Sequence, residues 1–257
     1  MILTIVNLAS QIAPAEFLSA VAAIGRQVTE DFSPEWAIDA SLRTATLNLV
    51  LGKDAPINGK HDAIIYVGDS SQDPTTGVSG ALGYHSRSYK NVPYGFVYLD
   101  ICRRYGEVWT CTLSHEVLEL LGDPTAVMTV SGPAPGGRPG SVYYDLEVCD
   151  PTQGDSYSID GVTVSNFVGR AYFNLPGGSG TTNYLKLSLS PFGVRPKGYF
   201  QYEDSRGAHQ VQGRRVTAQH LEAKKLMGDG RRNERRRLRL EPLPGRGRRQ
   251  KKSRKTR

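Results

Sequence analysis

Residues 113–124 read LSHEVLELLGDP, and this stretch combines an apolar helical stripe with a compact group of polar side chains. At about 100° per residue, one helical face gathers four apolar side chains within about 80°, namely Leu113, Val117, Leu120 and Leu121. An opposite arc of about 100° holds His115, Glu116 and Glu119. Gly122 predicts the end of the helix, and Pro124 disfavours helical backbone at the preceding residue. The stretch therefore predicts a helix with one core face and one face of an imidazole and two carboxylates.

The spacing of the polar residues on this helix favours a metal site. His115 and Glu119 are four residues apart, so their side chains are neighbours that can hold one ion. Zinc accepts histidine nitrogen and carboxylate oxygen alike. Glu116 would lie beside the ion as the catalytic general base, acting on bound water whose pKa the metal lowers to about 7. The simpler interpretation is an ordinary solvent-facing helix surface, but the sharing of one face by all three groups favours the metal.

Further ligands are needed, and the acid-rich segment YYDLEVCDP (143–151) offers them. Glu147 and Asp150 are predicted metal ligands, and so is Asp123, because the chain leaves the helix there and could turn back. Asp150 before a proline is also typical of a turn cap. Cys149 could bind zinc, although a lone cysteine is more often a small buried apolar group.

The surrounding pattern predicts an α/β (α+β) fold with a mixed sheet and packed helices. Strands are predicted at ILTIVNLA (2–9), TATLNLVLG (44–52), DAIIYVGD (62–69) and VPYGFVYLDI (92–101), and a helix over 14–32. The apolar centre of 62–69 indicates burial on both faces, and Pro93 indicates an edge strand. Residues 131–141 predict a loop, 155–168 a hairpin turning at Asp160-Gly161, and the rest to about 210 loops and short segments.

With these residues in view, the chain resembles zincin-type metallopeptidase domains of the HExxE kind. It is similar to a bacterial and phage group without an assigned activity, whose members carry an SHExLEL…DP helix and a later ExCD element. The matching segments are GALGYHSR (80–87), VPYGFVYLD (92–100), WTCTLSHEVLELLGDP (109–124), EVCDP (147–151), DSYSIDGVTVSNFV (155–168) and FSPEW (32–36). The resemblance spans roughly residues 1–205.

The resemblance implies a zincin-like mixed sheet beside an active-site helix. His115 and Glu119 match the metal ligands of that helix and Glu116 its general base. The edge strand of the sheet, expected at 92–100, would bind an extended peptide or protein substrate by strand addition.

One departure from the related proteases concerns the third ligand. Gly122 matches a glycine seven residues after the first histidine, but Thr125 stands where the third ligand is expected. Asp123 or Glu147 must then substitute for it. His85 and Tyr144 are candidate hydrogen-bond donors to an oxyanion or to substrate, with an ordinary loop histidine as the simpler interpretation of His85.

The expected cofactor is a divalent metal, zinc first, with calcium or manganese favoured by a carboxylate-rich ligand set. Two functions use the same ligands. One is a metal-dependent hydrolase, most simply an endopeptidase with Glu116 as base. The other is a non-catalytic zincin-like protein with a structural or interaction role, in which the metal fastens the helix to the segment around Glu147.

Charge divides the chain into two parts. Residues 214–257 carry 18 Lys and Arg against four acids, a net +14, which leaves −7 on the rest. We expect a metal-binding domain over 1–212 and a basic, largely disordered tail over 213–257, with a short helix at 217–227. The tail has no aromatic residue to stack bases, so it predicts nonspecific binding of nucleic acid or another polyanion.

Composition also bears on location. The sequence shows neither a signal peptide nor an apolar run of the roughly 20 residues that a membrane span needs. Three cysteines without a CxxC pair do not predict a disulfide framework. These features predict a cytoplasmic protein without membrane contact, or a virion-associated one if a phage encodes it.

Overall fold

Short apolar strands, buried on both faces at the centre, form the largest of the three sheets in the described part of the chain. The computed structural model describes residues 1–45, 63–72, 83–87 and 92–215. The strands of this sheet are β1 (Ile2–Asn7), β2 (Ser41–Ala45), β3 (Ala63–Gly68), β4 (Gly83–Arg87) and β5 (Pro93–Tyr98). Their order is β2-β1-β3-β5-β4. All neighbours are parallel except β4, which runs antiparallel to β5 at the edge.

The predicted helix over 14–32 is confirmed and continues further. α1 (Pro14–Arg26) begins with proline in its first turn, where the missing N–H costs nothing, and it buries Phe17, Val21 and Ile24. The chain goes on as a π-helical segment (Gln27–Phe32) and a last turn, α2 (Ser33–Trp36).

The helix with the polar cluster follows the sheet directly. α3 (Leu99–Tyr105) leads from β5 to α4 (Trp109–Gly122), which packs against β4, β5 and the later strand β9 (Val162–Ser165). A buried network fixes α4 laterally. Ser114 Oγ donates to Gln27 Oε1 (2.6 Å), Gln27 Nε2 donates to the Ser165 carbonyl (2.8 Å), and the Ser165 N–H donates back to Ser114 Oγ (3.0 Å).

The second half of the described chain is antiparallel. The predicted hairpin is confirmed as β8 (Ser156–Ile159) and β9, and its turn residues Asp160 and Gly161 both have positive φ, 50° and 81°. Such angles suit Asp-Gly in a two-residue hairpin turn. A four-stranded sheet has the order β11-β10-β7-β6. Its strands are β6 (Thr129–Pro133), β7 (Ser141–Asp145), β10 (Tyr199–Asp204) and β11 (Gly207–Gln212).

The α+β class is confirmed, and several local predictions need correction. The strand at 93–98 is not an edge strand, because it lies between β3 and β4. Pro93 fits there because it is the first residue of the strand and pairs only with Arg87, before the β3 ladder starts at Tyr94. The loop predicted at 131–141 contributes its ends to β6 and β7, and the hairpin of β10 and β11 was not predicted.

Some predictions fall partly or wholly outside the described residues. The strand predicted at 44–52 begins at Ser41 in β2, and its residues 46–52 are not described. Residues 216–257, with the predicted short helix and most of the basic tail, are likewise outside the described ranges. Within those ranges, every helix is too short or too polar to cross a bilayer.

Candidate metal centre

α4 brings the predicted helix pair together. His115 Nε2 lies 3.2 Å from Glu119 Oε1, as expected for residues four apart. The face that carries them is not solvent-facing, because Glu119 is 1% exposed and Glu116 is 4% exposed. The ordinary-surface interpretation is therefore wrong: carboxylates placed in the interior need compensating charge or hydrogen bonds.

The segment after β7 closes over the helix pair. The backbone N–H groups of Cys149 and Asp150 donate to Glu119 Oε1 at 3.3 and 3.2 Å. Asp150 Oδ1 lies 3.2 Å from His115 Nε2, and Glu147 is buried nearby in the same segment. The structure thus brings two of the ligands predicted in this segment, Glu147 and Asp150, to the helix.

A second imidazole enters from the sheet edge. His85 lies on β4 and is 1% exposed. Its Nδ1 is 3.5 Å from Glu116 Oε2 and 3.7 Å from Glu119 Oε2, and its Nε2 is 3.8 Å from Glu147 Oε2. The interpretation of His85 as an ordinary loop histidine is wrong. The sequence identified His85 only as a candidate hydrogen-bond donor, because its approach to α4 depends on the pairing of β4 with β5.

Gly83 explains how β4 approaches the helix so closely. A Cβ at this position would lie 2.8 Å from both Cγ and Oε1 of Glu116. Contacts that short are not tolerated between a Cβ and a packed side chain, so only glycine leaves the space. The absent side chain lets the carboxylate of Glu116 lie beside the strand that carries His85.

The separations of these atoms fit ligands around an ion. Ligand atoms about 2.0–2.2 Å from a tetrahedral ion lie about 3.3–3.6 Å from one another. Nε2 of His115 lies 3.2 Å from both Glu119 and Asp150, and Nδ1 of His85 lies 3.5 Å from Glu116 and 3.7 Å from Glu119. Two compact sets have their ligand atoms within 4.8 Å of one another: one is His115, Glu119 and Cys149, and the other is His85, Glu119 and Glu147.

The charge of the cluster also fits a cation. Two imidazoles carry at most two positive charges, against the four carboxylates of Glu116, Glu119, Glu147 and Asp150. Burial by itself lowers the pKa of His115, but the charge of Glu119 and hydrogen bonds to Asp150 and Glu119 outweigh it and hold this pKa well above its usual range. A divalent ion would offset the same negative charge more fully than a proton does.

Cys149 was the weaker sequence candidate. It is fully buried, and burial raises the pKa of its thiol well above the usual range. A neutral buried thiol is a poor ligand until an ion displaces its proton. Its position in one of the two compact sets nevertheless places it within reach of an ion held by His115 and Glu119.

Two predicted site residues lie elsewhere. Asp123 caps the turn after α4: its Oδ1 accepts from the N–H and Oγ1 of Thr125, and its Oδ2 accepts from the N–H of Met128 at 2.6 Å. Tyr144 lies in the aromatic core of the second sheet, beside Phe192 and Phe200, and its hydroxyl donates to the Pro133 carbonyl. The predicted roles of Asp123 as ligand and Tyr144 as substrate contact are therefore not supported by this geometry.

The opening to solvent lies on the His115 side. His115 keeps 12% of its side chain exposed, whereas His85 is fully enclosed. Cys111, one helical turn before His115, lines a cavity of about 230 Å³ with Gln153 and Lys197.

Comparisons of the chain with protein-family models, with curated proteins and with solved structures found no match.

Proposed function

We propose that the protein is a metal-dependent hydrolase that cleaves peptide bonds. His115 and Glu119 hold the ion, with the carboxylates of Glu147 and Asp150 close by. The observation that carries this proposal is a cluster of four buried carboxylates, Glu119 among them, with the buried imidazole of His85 and the largely buried imidazole of His115. Burying so many acids without a role is costly, and such clusters in proteins are paired or bind metals.

In this proposal Glu116 accepts the proton of the attacking water. It is adjacent to His115 in sequence, yet its carboxylate faces β4 and His85, so it would act as base from the β4 side without duplicating the role of Glu119 as ligand. A bound ion supplies acidity to its water, which makes a carboxylate an adequate base near neutral pH. Nδ1 of His85 lies 3.5 Å from Oε2 of that carboxylate.

The proposed substrate is an extended peptide that adds to the edge of the largest sheet. β4 takes the edge position expected for 92–100, and it runs antiparallel to β5 and packs on α4. A peptide paired with β4 would run past the helix that carries Glu116. In the zincin-like organisation that the sequence resembles, the substrate likewise adds to an edge strand beside the active-site helix.

The ligand chemistry bears on the choice of ion. A set with an imidazole and a thiol suits zinc, whereas the several carboxylates of the cluster suit manganese or calcium. We propose zinc as the resident ion, because a histidine and a cysteine, His115 and Cys149, lie in the same set as Glu119. Carboxylate-rich coordination makes the ion a weaker Lewis acid, so we expect slow turnover.

The decisive variant is Glu116→Gln, which keeps size and removes the base. We expect zinc content to stay within error of wild type while cleavage of a broad peptide library falls by about 100-fold or more. Glu203→Gln, a glutamate of β10 in the second sheet, is the matched control and should cleave normally. Absence of cleavage by wild-type protein supplied with zinc, manganese or calcium would refute the hydrolase.

A non-catalytic metal protein is the second candidate, favoured by two hydrogen bonds. Glu119 Oε1 accepts from the backbone of Cys149 and Asp150, so an ion on Glu119 would fasten α4 to the following segment. In that case metal removal would lower the melting temperature, and Glu116→Gln would change neither metal content nor any activity.

A further inference from the structure

We propose that the centre holds two ions, with Glu119 as a bridging carboxylate. The second position lies between His85, Glu119 and Glu147, beside the first at His115. This inference rests on the proposed metal centre and adds a site to it. It is carried by the way the two histidines are distributed around Glu119.

The two imidazoles do not converge on one point. In the part of the chain that the structure describes, potential ligand atoms form two compact sets, one with His115 and the other with His85. Neither set contains both histidines, and Glu119 belongs to both. A single ion between them would require both imidazoles in one set, so the geometry describes two neighbouring ion positions.

Glu119 offers a different oxygen to each side. Its Oε1 lies 3.2 Å from Nε2 of His115, and its Oε2 lies 3.7 Å from Nδ1 of His85. A carboxylate that directs its two oxygens to separate ions is a bridge, and ions in two-metal sites are typically about 3.5–4 Å apart. The N–H groups of Cys149 and Asp150 hold Oε1 in place and so fix the rotation of the carboxylate.

The second position is built into the packing. His85, Glu119 and Glu147 are each at most 3% exposed, and they come from β4, α4 and the segment after β7. Gly83, two residues before His85 on the same face of β4, leaves room for Glu116, whose Oε2 borders the second position. Three separate elements therefore converge on it.

The test counts bound ions. Metal-free full-length protein is titrated with Mn²⁺, and bound Mn²⁺ is quantified by elemental analysis and by electron paramagnetic resonance. We expect two Mn²⁺ per chain and a spin-coupled signal, since a carboxylate bridge couples the ions. His85→Gln and the isosteric Glu147→Gln should each bind one Mn²⁺ per chain without coupling. His209→Gln, a histidine of β11 in the second sheet, should still bind two.

The outcomes separate this inference from the proposed function. One Mn²⁺ per chain in wild type, unchanged by His85→Gln, overturns the second site and leaves the single-ion hydrolase standing. No bound Mn²⁺ or Zn²⁺ in wild type removes both. If His85→Gln does not fold by circular dichroism, the count in Glu147→Gln decides.

Discussion

Two glycines of this protein matter because they lack a side chain, which leaves room for neighbouring groups to pack closely. Gly83 has no side chain, and the carboxylate of Glu116 lies where a Cβ would be. Gly122 similarly ends α4 where a Cβ would lie 3.2 Å from Cγ1 of Val148, in the segment that leads to Cys149. Two glycines thus permit the strand and the segment to approach the helix closely.

Gly83→Ala tests whether the missing side chain at this position is needed to place Glu116. The new methyl group would force Glu116 to move within a buried site, so we expect a loss of about 1–3 kcal/mol in the free energy of unfolding. We also expect hydrolysis to fall by at least about 10-fold, because a misplaced base loses much of its effect. Denaturant unfolding and peptide cleavage are the measurements. Gly25→Ala, where an added Cβ meets nothing within 4 Å, is the control. Equal activity in Gly83→Ala and wild type would contradict the role given to this contact.

At the scale of elements, the acidic residue in the turn after α4 has a structural role, whereas the acidic residues after β7 belong to the candidate metal centre. Asp123 uses both carboxylate oxygens to cap the turn from Pro124 to Met128. Glu147 and Asp150, which follow β7, face the histidines instead. The same side-chain chemistry therefore serves two purposes within about 30 residues, and the backbone donors in reach decide which.

Asp123→Ala should therefore affect stability and not metal binding. Removing this buried carboxylate leaves the N–H groups of Thr125 and Met128 without their hydrogen-bond acceptor. We expect the free energy of unfolding to fall by on the order of 3 kcal/mol. Thermal unfolding should show a lowered melting temperature, while elemental analysis of folded protein shows the wild-type metal content. The exposed Asp39→Ala is the control and should change neither. Loss of metal at unchanged stability would restore Asp123 as a ligand.

At the scale of the whole molecule, opposite charges are separated along the chain. The acidic part holds the buried carboxylates, whereas residues 214–257 carry the net +14. A polycation without aromatic residues binds phosphates by releasing counterions and does not read base sequence. The proposed hydrolase and the proposed polyanion binding thus occupy different parts of the chain.

Deletion of residues 216–257 tests whether polyanion binding belongs to the basic tail and metal binding to the rest of the chain. Full-length protein should bind unrelated DNA and RNA with an affinity that falls steeply between about 50 and 200 mM salt, and the shortened protein should not bind measurably. Fluorescence anisotropy with labelled oligonucleotides provides the measurement, and metal content should be equal in both proteins. Undiminished binding by the shortened protein would show that the tail is not the binding element.

Local sequence determined those features whose cause is local. The 3.6-residue period set the apolar face of α4, the spacing of His115 and Glu119 set their contact, and Asp160-Gly161 set the hairpin turn. Tertiary structure decided the rest. Strand order placed β4 outside β5 and carried His85 to the helix, while nearby backbone donors held Asp123 in its turn. Strand pairing and burial depend on contacts between distant segments, which no local pattern encodes.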